Sequence, residues 1–466
     1  MRRDPVGILL AALVAAHLIA LLAFDTFASQ DGPSHAYNAH VLLNLDSAPY
    51  TTIYTSHWTP VPNWLGTALL VASGALMGVG FGEKLLLALC LILFTAGVRR
   101  RCMRPDGTTP PAVLLAPLLA WGYPLHMGFY SFCLGLAVIP WGWDAAARRK
   151  PAALLAWAAV AYLAHIVALL ALVLGAAAEL IGAPRRDRVK GLLAITVASL
   201  PAALWVGSRP PGGAVRWAPD QLAEALFTLR PAAAYAGLGE WIAIAAAALL
   251  VVLVGLAVKQ GGVRPLATAA AMLLLVLALP DGGAGHWFLT ERLILIFWVA
   301  LLPVAALATV PAWTAAIGTC IALSGLATTL PHHEAASLDL ADVMFLAPRL
   351  EPAQSLILLD FTDANHRRIR PMLHAAGRLA AATGGVDLGN YEAQTDHFQT
   401  RLADRVVMPP HEALLADPAS LDLPRFKSRL RYILLRGQPP TGFLRRLEQH
   451  YVATVPEGPV RLYERR

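Results

Sequence analysis

The sequence predicts a mainly α protein: a polytopic transmembrane helical bundle of about 11 spans plus interfacial helices, with a small C-terminal extracytoplasmic α/β domain. Three observations predict this class. Hydrophobic residues make up 57% of the 466 residues and charged residues only 14%, which excludes a set of ordinary soluble domains. Charge-poor apolar runs recur until about residue 330, and beyond it charged residues become frequent. We therefore divide the chain into a transmembrane module, 1–330, and a C-terminal domain, 331–466.

The first apolar run, 5–24, holds no Asp, Glu, Lys or Arg and is long enough to cross the hydrocarbon layer as a helix. We interpret it as a retained first helix rather than a cleaved signal peptide. Residues 64–82 are expected to form an interfacial or re-entrant helix, because a further span there would put the next basic cluster on the wrong side. The later spans are expected at 84–98, 111–127, 129–143, 151–182 (two short spans or a helical hairpin), 191–207, 241–258, 265–280, 293–310 and 312–330.

Short clusters of arginine and lysine separate the apolar runs and should face the cytoplasm. They lie at 2–3, 99–104, 148–150, 185–190 and 259–264. The loops 25–63, 208–240 and 281–292 and the C-terminal domain then face outward, and any chemistry is expected there. The net charge of +7 falls in clusters that orient helices, which argues against a nucleic-acid partner.

The first outer loop, 25–63, opens with an acid and a histidine, Asp31 and His35, on either side of Gly32-Pro33-Ser34. A carboxylate at the membrane boundary is costly unless it is solvated or paired, so we favour a functional role for Asp31, with helix N-capping as the alternative. If a helix begins near Pro33, His35 lies one turn away and could orient Asp31 or contact a phosphate; surface exposure is the alternative.

The same loop is rich in hydrogen-bonding and aromatic groups. His57 is a candidate substrate ligand. Aromatic rings together with carboxylates suit a sugar, although we interpret Tyr50, Tyr54, Trp58 and Trp64 as an interfacial belt.

A second outer group lies at 281–292. Its Gly-rich loop would let a ligand approach closely, and His286, Glu291 and Arg292 at the entrance of the next span are candidate phosphate or substrate ligands. The alternative is that Arg292 extends to lipid headgroups with Glu291 as its partner. His126 and His165 lie within apolar spans, and we favour structural roles for both.

Several segments together resemble a known family. They are 31–39 (Asp-Gly-Pro-Ser-His-Ala-Tyr-Asn-Ala), 62–64 (Pro-Asn-Trp), 123–126 (Tyr-Pro-Leu-His), 128–132 (Gly-Phe-Tyr-Ser-Phe) and 291–292 (Glu-Arg). Over about 1–330 this arrangement resembles the GT-C superfamily of membrane glycosyltransferases, in its less-characterised bacterial members.

The resemblance implies a membrane glycosyltransferase that moves a hexosyl or pentosyl group from a polyprenyl-phosphate-linked donor to an extracytoplasmic glycan, lipid or protein. It implies a place in the bacterial inner (plasma) membrane and gives Asp31 the role of catalytic base or metal ligand. Many members carry paired acids, whereas Gly32-Pro33 follows Asp31 here, and one carboxylate is a poor Mg²⁺ or Mn²⁺ site. We therefore assign no metal ligand and no cofactor, and a divalent metal stays open.

Two other classes of function stay open: a lipid-linked oligosaccharide ligase or polymerase, and a non-enzymatic lipid or glycan transport protein. A ligase would share the outer acid and arginines. A transporter would need charged groups near mid-membrane, and the predicted spans are nearly free of them.

The C-terminal domain has its own periodicities. Residues 355–360 and 432–436 are predicted as buried strands, 367–382 as a helix, and 451–455 with 460–463 as a terminal hairpin. Such domains of GT-C proteins are expected to help hold the acceptor. We interpret His332-His333-Glu334 as a solvated linker rather than a zinc site, because adjacent side chains diverge.

Overall fold

The computed structural model describes residues 4–208, 215–217, 219–263, 265–282, 288–362 and 368–466. In chain order the helices are α1 (Pro5–Ala23), α2 (Gly32–Leu43), α3 (Tyr50–Ile53), α4 (Trp64–Met77), α5 (Val79–Cys102), α6 (Ala116–Ala120), α7 (Tyr123–Met127), α8 (Tyr130–Ala147), α9 (Pro151–Ala164), α10 (Ile166–Leu180), α11 (Arg185–Gly207), α12 (Pro219–Thr228), α13 (Leu238–Lys259), α14 (Leu266–Ala278), α15 (Leu289–Ala305), α16 (Trp313–Met344), α17 (Ala375–Thr383), α18 (His411–Ala416), α19 (Leu423–Phe426) and α20 (Thr441–Glu448). The strands are β1 (Tyr54–Ser56), β2 (Ser355–Phe361), β3 (Val386–Asp387), β4 (Thr400–Leu402), β5 (Tyr432–Gly437), β6 (Tyr451–Val455) and β7 (Val460–Arg465).

The helices confirm an integral membrane protein. Within the described ranges, five helices are long and apolar enough to cross a bilayer by length and composition, namely α1, α5, α11, α13 and the helix that begins at Trp313. Shorter apolar helices of 10–17 residues include α4, α9, α10 and α14. The total of about 11 spans stays a prediction.

Several of the predicted helices have different boundaries, and two of them are interrupted. The predicted span 111–127 is not one helix: a 3₁₀ turn, α6 and α7 follow each other, each with a proline in its first two positions, because proline ends the preceding hydrogen-bond ladder. The predicted helix 64–82 is also wrong at its end. Gly78 has a φ of +83°, so α4 stops before it and residues 79–82 belong to α5.

The chain divides into two compact units. The first unit contains Met1–Ala23, Pro60–Gly66 and Leu86–Leu330, and the second unit contains Phe24–Thr59, Thr67–Leu85 and Pro331–Arg466. Most of the first outer loop, which was predicted to belong to the transmembrane module 1–330, therefore shares a unit with the C-terminal residues. The functional division at 330 stays a prediction.

Small residues let the helices of the first unit pack closely. Helix α8 packs against α9 and α10, and α15 packs against α13 and α14. A Cβ added at Gly135 of α8 would lie 2.5 Å from the Cβ of Ala168 in α10, and one added at Gly142 would lie 2.5 Å from Leu172. Close backbone approach of this kind is typical of helices that associate in lipid.

Charged side chains at one end of the helices of the first unit form ion pairs. Arg99 bonds to Asp4 at the start of α1 (3.1 Å), and Arg100 bonds to Asp144 near the end of α8 (2.8 Å). Arg101 bonds to Glu179 near the end of α10. The basic cluster in the last turn of α5 therefore lies at the same end of the bundle as those helix termini. Its cytoplasmic location stays a prediction.

The second unit is built on a five-stranded sheet in the order β3-β2-β5-β7-β6. Strands β2, β3 and β5 are parallel, while β7 pairs antiparallel with β5 and β6. The predicted strands at 355–360 and 432–436 and the terminal hairpin are confirmed. Of the helix predicted over 367–382, the described residues 368–374 are not helical, and α17 begins at Ala375. Pro371 disfavours helical backbone at the residue before it. The extracytoplasmic location of this α/β structure stays a prediction.

Helix α2 joins the first outer loop to this sheet by packing against α17. Gly377 makes the close approach possible, since a Cβ there would lie 3.0 Å from the carbonyl oxygen of Pro33. Strand β1 pairs antiparallel with β4. Tyr50 and Tyr54 are buried in the core of this unit, so their interpretation as interfacial residues is wrong.

Candidate functional site

Asp31 is the residue that immediately precedes α2, as the sequence predicts from Pro33 in the first turn. Its side chain makes no capping hydrogen bond to that helix, so the N-capping interpretation is wrong. The side chain is 14% exposed, and its Oδ1 lies 3.7 Å from Nε2 of His374. The carboxylate is thus partly enclosed and faces an imidazole from the C-terminal residues.

His374 immediately precedes α17, and its side chain is 5% exposed. Its ring lies 4.8 Å from the ring of Tyr391 and 5.4 Å from that of His411, centroid to centroid. Burial lowers the pKa of His374 well below 6.5, and the nearby His411, His35 and Arg370 lower it further. The imidazole beside Asp31 is therefore neutral at physiological pH.

His35 extends the same cluster on the first turn of α2. Its Nδ1 lies 2.8 Å from Oε1 of Glu392, whose side chain is buried. Its ring lies 5.7 Å from that of Phe398. Simple surface exposure is therefore wrong for His35, while its predicted contact with a phosphate stays a prediction.

His57 lies just after strand β1 on the surface of the second unit. Its backbone N–H donates to the carbonyl of Gln399 (2.7 Å), and its Nε2 lies 2.8 Å from Oγ1 of Thr59. The imidazole is exposed. Its predicted role as a substrate ligand stays a prediction.

Arg292 lies in the first turn of α15, in the first unit. Its side chain is buried, and its guanidinium carbon lies 4.1 Å from the ring centroid of Phe129 and 5.6 Å from that of Phe132. This cation–π packing contradicts the alternative in which the side chain extends to lipid headgroups. The backbone carbonyl of Asp281 accepts from Leu289 (2.9 Å) and thereby fixes the start of the helix.

The structure describes only one of the two other predicted residues of this group. Glu291 is half-buried in the same turn, and His286 lies outside the described residues. Asp31 and Arg292 belong to different units, so the expectation that they share one pocket stays a prediction.

The two histidines of the apolar spans have the structural roles that we favoured. Nδ1 of His126 lies 3.1 Å from the carbonyl oxygen of Gly122. His165 precedes α10 and accepts a hydrogen bond from the backbone N–H of Val167 (3.2 Å), which satisfies one of the free amides at that helix start.

No protein-family model matches the sequence, and no curated protein matches it. Solved structures do. ArnT from Cupriavidus metallidurans in the apo state is 12% identical with a TM-score of 0.57, and the match covers 97% of this chain and 97% of that one. The same protein bound to undecaprenyl phosphate is 13% identical with a TM-score of 0.59, covering 99% and 98%. The chain has the GT-C fold. The arabinofuranosyltransferase AftD from Mycobacteria matches at 15% identity with a TM-score of 0.49, over 98% of this chain and 39% of that one.

The GT-C resemblance read from the sequence is thus confirmed at the level of fold, but several buried polar residues beside the first outer loop were missed. Glu83 is 1% exposed and accepts a hydrogen bond from Arg378 (2.6 Å). Its neighbour Lys84 donates to the carbonyl of Phe24 (2.5 Å), just ahead of the first outer loop. Two adjacent charges between apolar runs were the available signal, since such groups are expensive in a membrane protein unless paired.

His333 was also missed. It is buried in α16, its Nδ1 accepts a hydrogen bond from the backbone N–H of Ala28 (3.3 Å), and its ring lies 4.8 Å from that of Phe27. The interpretation of 332–334 as a solvated linker is therefore wrong at His333. Helix α16 continues through this segment, and the histidine holds the residues that lead to Asp31.

The described part of the chain contains no group of three or more His, Cys, Asp or Glu side chains that could hold a metal ion. Around Asp31 the described residues bring carboxylates together with imidazole and phenol rings, an arrangement suited to proton transfer and to stacking on a sugar.

Proposed function

We propose that this protein is a membrane glycosyltransferase that moves a sugar from a polyprenyl-phosphate-linked donor to an extracytoplasmic acceptor. The observation that best supports this proposal is the position of Asp31. Its carboxylate is partly enclosed, makes no capping hydrogen bond and faces a buried imidazole. The GT-C fold and the undecaprenyl phosphate bound to the similar ArnT structure support the lipid-linked donor.

In this proposal Asp31 is the catalytic base. A donor sugar carries its own leaving group, a phosphate or diphosphate, so the protein must remove the proton of the acceptor hydroxyl and stabilise the departing negative charge. Asp31 takes the proton while the acceptor oxygen attacks the anomeric carbon and the bond to the lipid phosphate breaks. Direct attack inverts the configuration at that carbon.

Positively charged side chains are candidates for contacts with the departing phosphate. Arg292 and His286 were predicted from the sequence. In the second unit we add Lys84, whose ammonium lies at the start of the first outer loop, and Arg370, whose positive charge lowers the pKa of His374. Arginine and lysine both bind phosphate, and arginine adds a planar, bidentate geometry.

The proposed setting is the bacterial inner membrane, with the second unit outside the cytoplasm. The acceptor is a glycan, a lipid or a protein, and the C-terminal residues help to hold it. The rings of Tyr391, beside His374, and of Phe398, beside His35, offer surfaces on which a sugar ring stacks.

The test uses the purified full-length protein with a panel of polyprenyl-phosphate sugars. The wild type should consume one donor and release polyprenyl phosphate, whereas Asp31→Asn should lower the rate by about 10²–10⁴-fold, the usual contribution of a general base. Asp46→Asn, which changes an exposed acid of the same loop, is the matched control and should retain activity.

Three results would contradict the proposal. Unimpaired transfer by Asp31→Asn would remove this residue from the mechanism. Passage of an intact lipid-linked sugar across vesicles, without donor cleavage, would instead indicate a transport protein. Joining of lipid-linked oligosaccharides to one another would identify the ligase or polymerase alternative.

A further inference from the structure

We propose that His374 is the positioning residue of the catalytic carboxylate: its Nε2–H donates to Asp31 and holds that carboxylate in the orientation that accepts the proton of the acceptor hydroxyl. This inference rests on the proposed function and deepens it, because it makes the C-terminal residues part of the catalytic centre rather than only a support for the acceptor.

The packing of two helices places this pair. Asp31 immediately precedes α2 and His374 immediately precedes α17, so the amino ends of both helices meet at the carboxylate. The absent side chain of Gly377 lets α17 approach Pro33. A second contact fixes the same segment, since the backbone N–H of Arg370 donates to Oε1 of Gln30 (3.1 Å).

On the side away from Asp31, the ring of His374 packs against two other rings. It lies between Asp31 and the rings of Tyr391 and His411, at centroid distances of 4.8 and 5.4 Å. An imidazole enclosed in this way has little rotational freedom. Nε2 lies 3.7 Å from Oδ1 of Asp31, a separation that a hydrogen bond closes when substrate binds, as is common at active sites observed without ligand.

The charge of the His374 imidazole affects the strength of Asp31 as a base. A neutral ring donates one hydrogen bond and orients the carboxylate, whereas an imidazolium would pair with Asp31 and weaken it as a base. Burial, His411, His35 and Arg370 all lower the pKa of His374, so the neutral form is present. The carboxylates that face this group of histidines are Asp31 itself, Glu392 beside His35 and Glu412, which raises the pKa of His411.

Three variants of His374 test the inference. His374→Leu removes the donor, His374→Gln places an amide N–H near the position of Nε2, and His374→Asn places it near that of Nδ1. Because a hydrogen bond to a charged group is lost, His374→Leu should lower kcat by about 10–100-fold, with KM for the donor changed less than about twofold. His374→Gln should recover most of kcat and His374→Asn should not.

His450→Leu is the control, because it removes a histidine of the same unit at a surface cavity formed by residues 419–424, 446, 449 and 450. Wild-type kcat in His374→Leu would overturn the inference. So would equal losses in the Leu and Gln variants accompanied by a lower Tm, which would indicate a structural role. If Asp31→Asn is inactive while His374→Leu is fully active, only this inference fails; if Asp31→Asn is active, the proposed function fails as well.

Discussion

Asp387 is an acid buried at the end of strand β3, at the site where α2 meets the sheet. Its backbone N–H donates to the hydroxyl of Tyr37 (3.1 Å), and its Oδ1 accepts from the N–H of Gly389 (2.8 Å). Burial raises the pKa of Asp387 to about 7, and the hydrogen bond from Gly389 only partly opposes that effect. The folded protein therefore keeps this acid protonated at mildly acidic pH.

The sign and size of the effect on stability follow from linkage. Below the unfolded pKa of 3.8 the acid is protonated in both the folded and the unfolded state. Its ionisation therefore does not lower the free energy of unfolding in that range. As the pH rises from there to about 7, the unfolded state loses the proton first, and the free energy of unfolding falls by about 1.4 kcal/mol per pH unit. The total loss is about 4 kcal/mol, and above the folded pKa it stays constant.

Asp387→Asn isolates this contribution, because the amide keeps an oxygen for Gly389 but carries no charge. The Tm of the variant minus that of the wild type, measured in detergent at each pH, should rise by about 3 °C between pH 5 and pH 8. Asp46→Asn, in an exposed turn, should follow the wild type throughout. A difference for Asp387→Asn that does not change with pH would refute the reasoning.

Three further variants test the units separately. Arg292→Ala should lower kcat/KM for the donor by about 100-fold, with only partial recovery in Arg292→Lys, because lysine lacks the planar fork; equal rates in all three proteins would exclude a phosphate contact. Arg378→Ala leaves the buried carboxylate of Glu83 without this partner and should destabilise the protein by about 3–5 kcal/mol, and an unchanged Tm would show that the ion pair contributes nothing. Gly377→Leu should separate α2 from α17 and abolish transfer, whereas Gly442→Leu, where a Cβ meets open space, should be active; activity in Gly377→Leu would contradict the close packing.

Local patterns predicted much of this fold. The charge-free run at the amino end, the helix start at Pro33 and the strands at 355–360 and 432–436 all depend on residues adjacent in the chain, and each is present. Proline also explains a failure of the same method: 111–127 is apolar enough for one span, but its prolines divide it into short helices. Apolar composition alone does not predict that interruption of the helix.

The candidate site was predictable only in part. Asp31 and Arg292 stand out because a charge beside an apolar run is expensive. His374 and His333 gave no comparable signal, because each contacts a residue about 300 positions or more away in the chain. Their roles depend on the packing of α17 and α16 against the first outer loop, which no local pattern encodes.

The most direct test of the central claim is the release of polyprenyl phosphate from its sugar-linked form by the purified full-length protein. The account predicts that the wild type and Asp46→Asn release the lipid phosphate in step with sugar transfer, and that Asp31→Asn, correctly folded in the same detergent, releases almost none. Equal release by Asp31→Asn and the wild type would contradict the account.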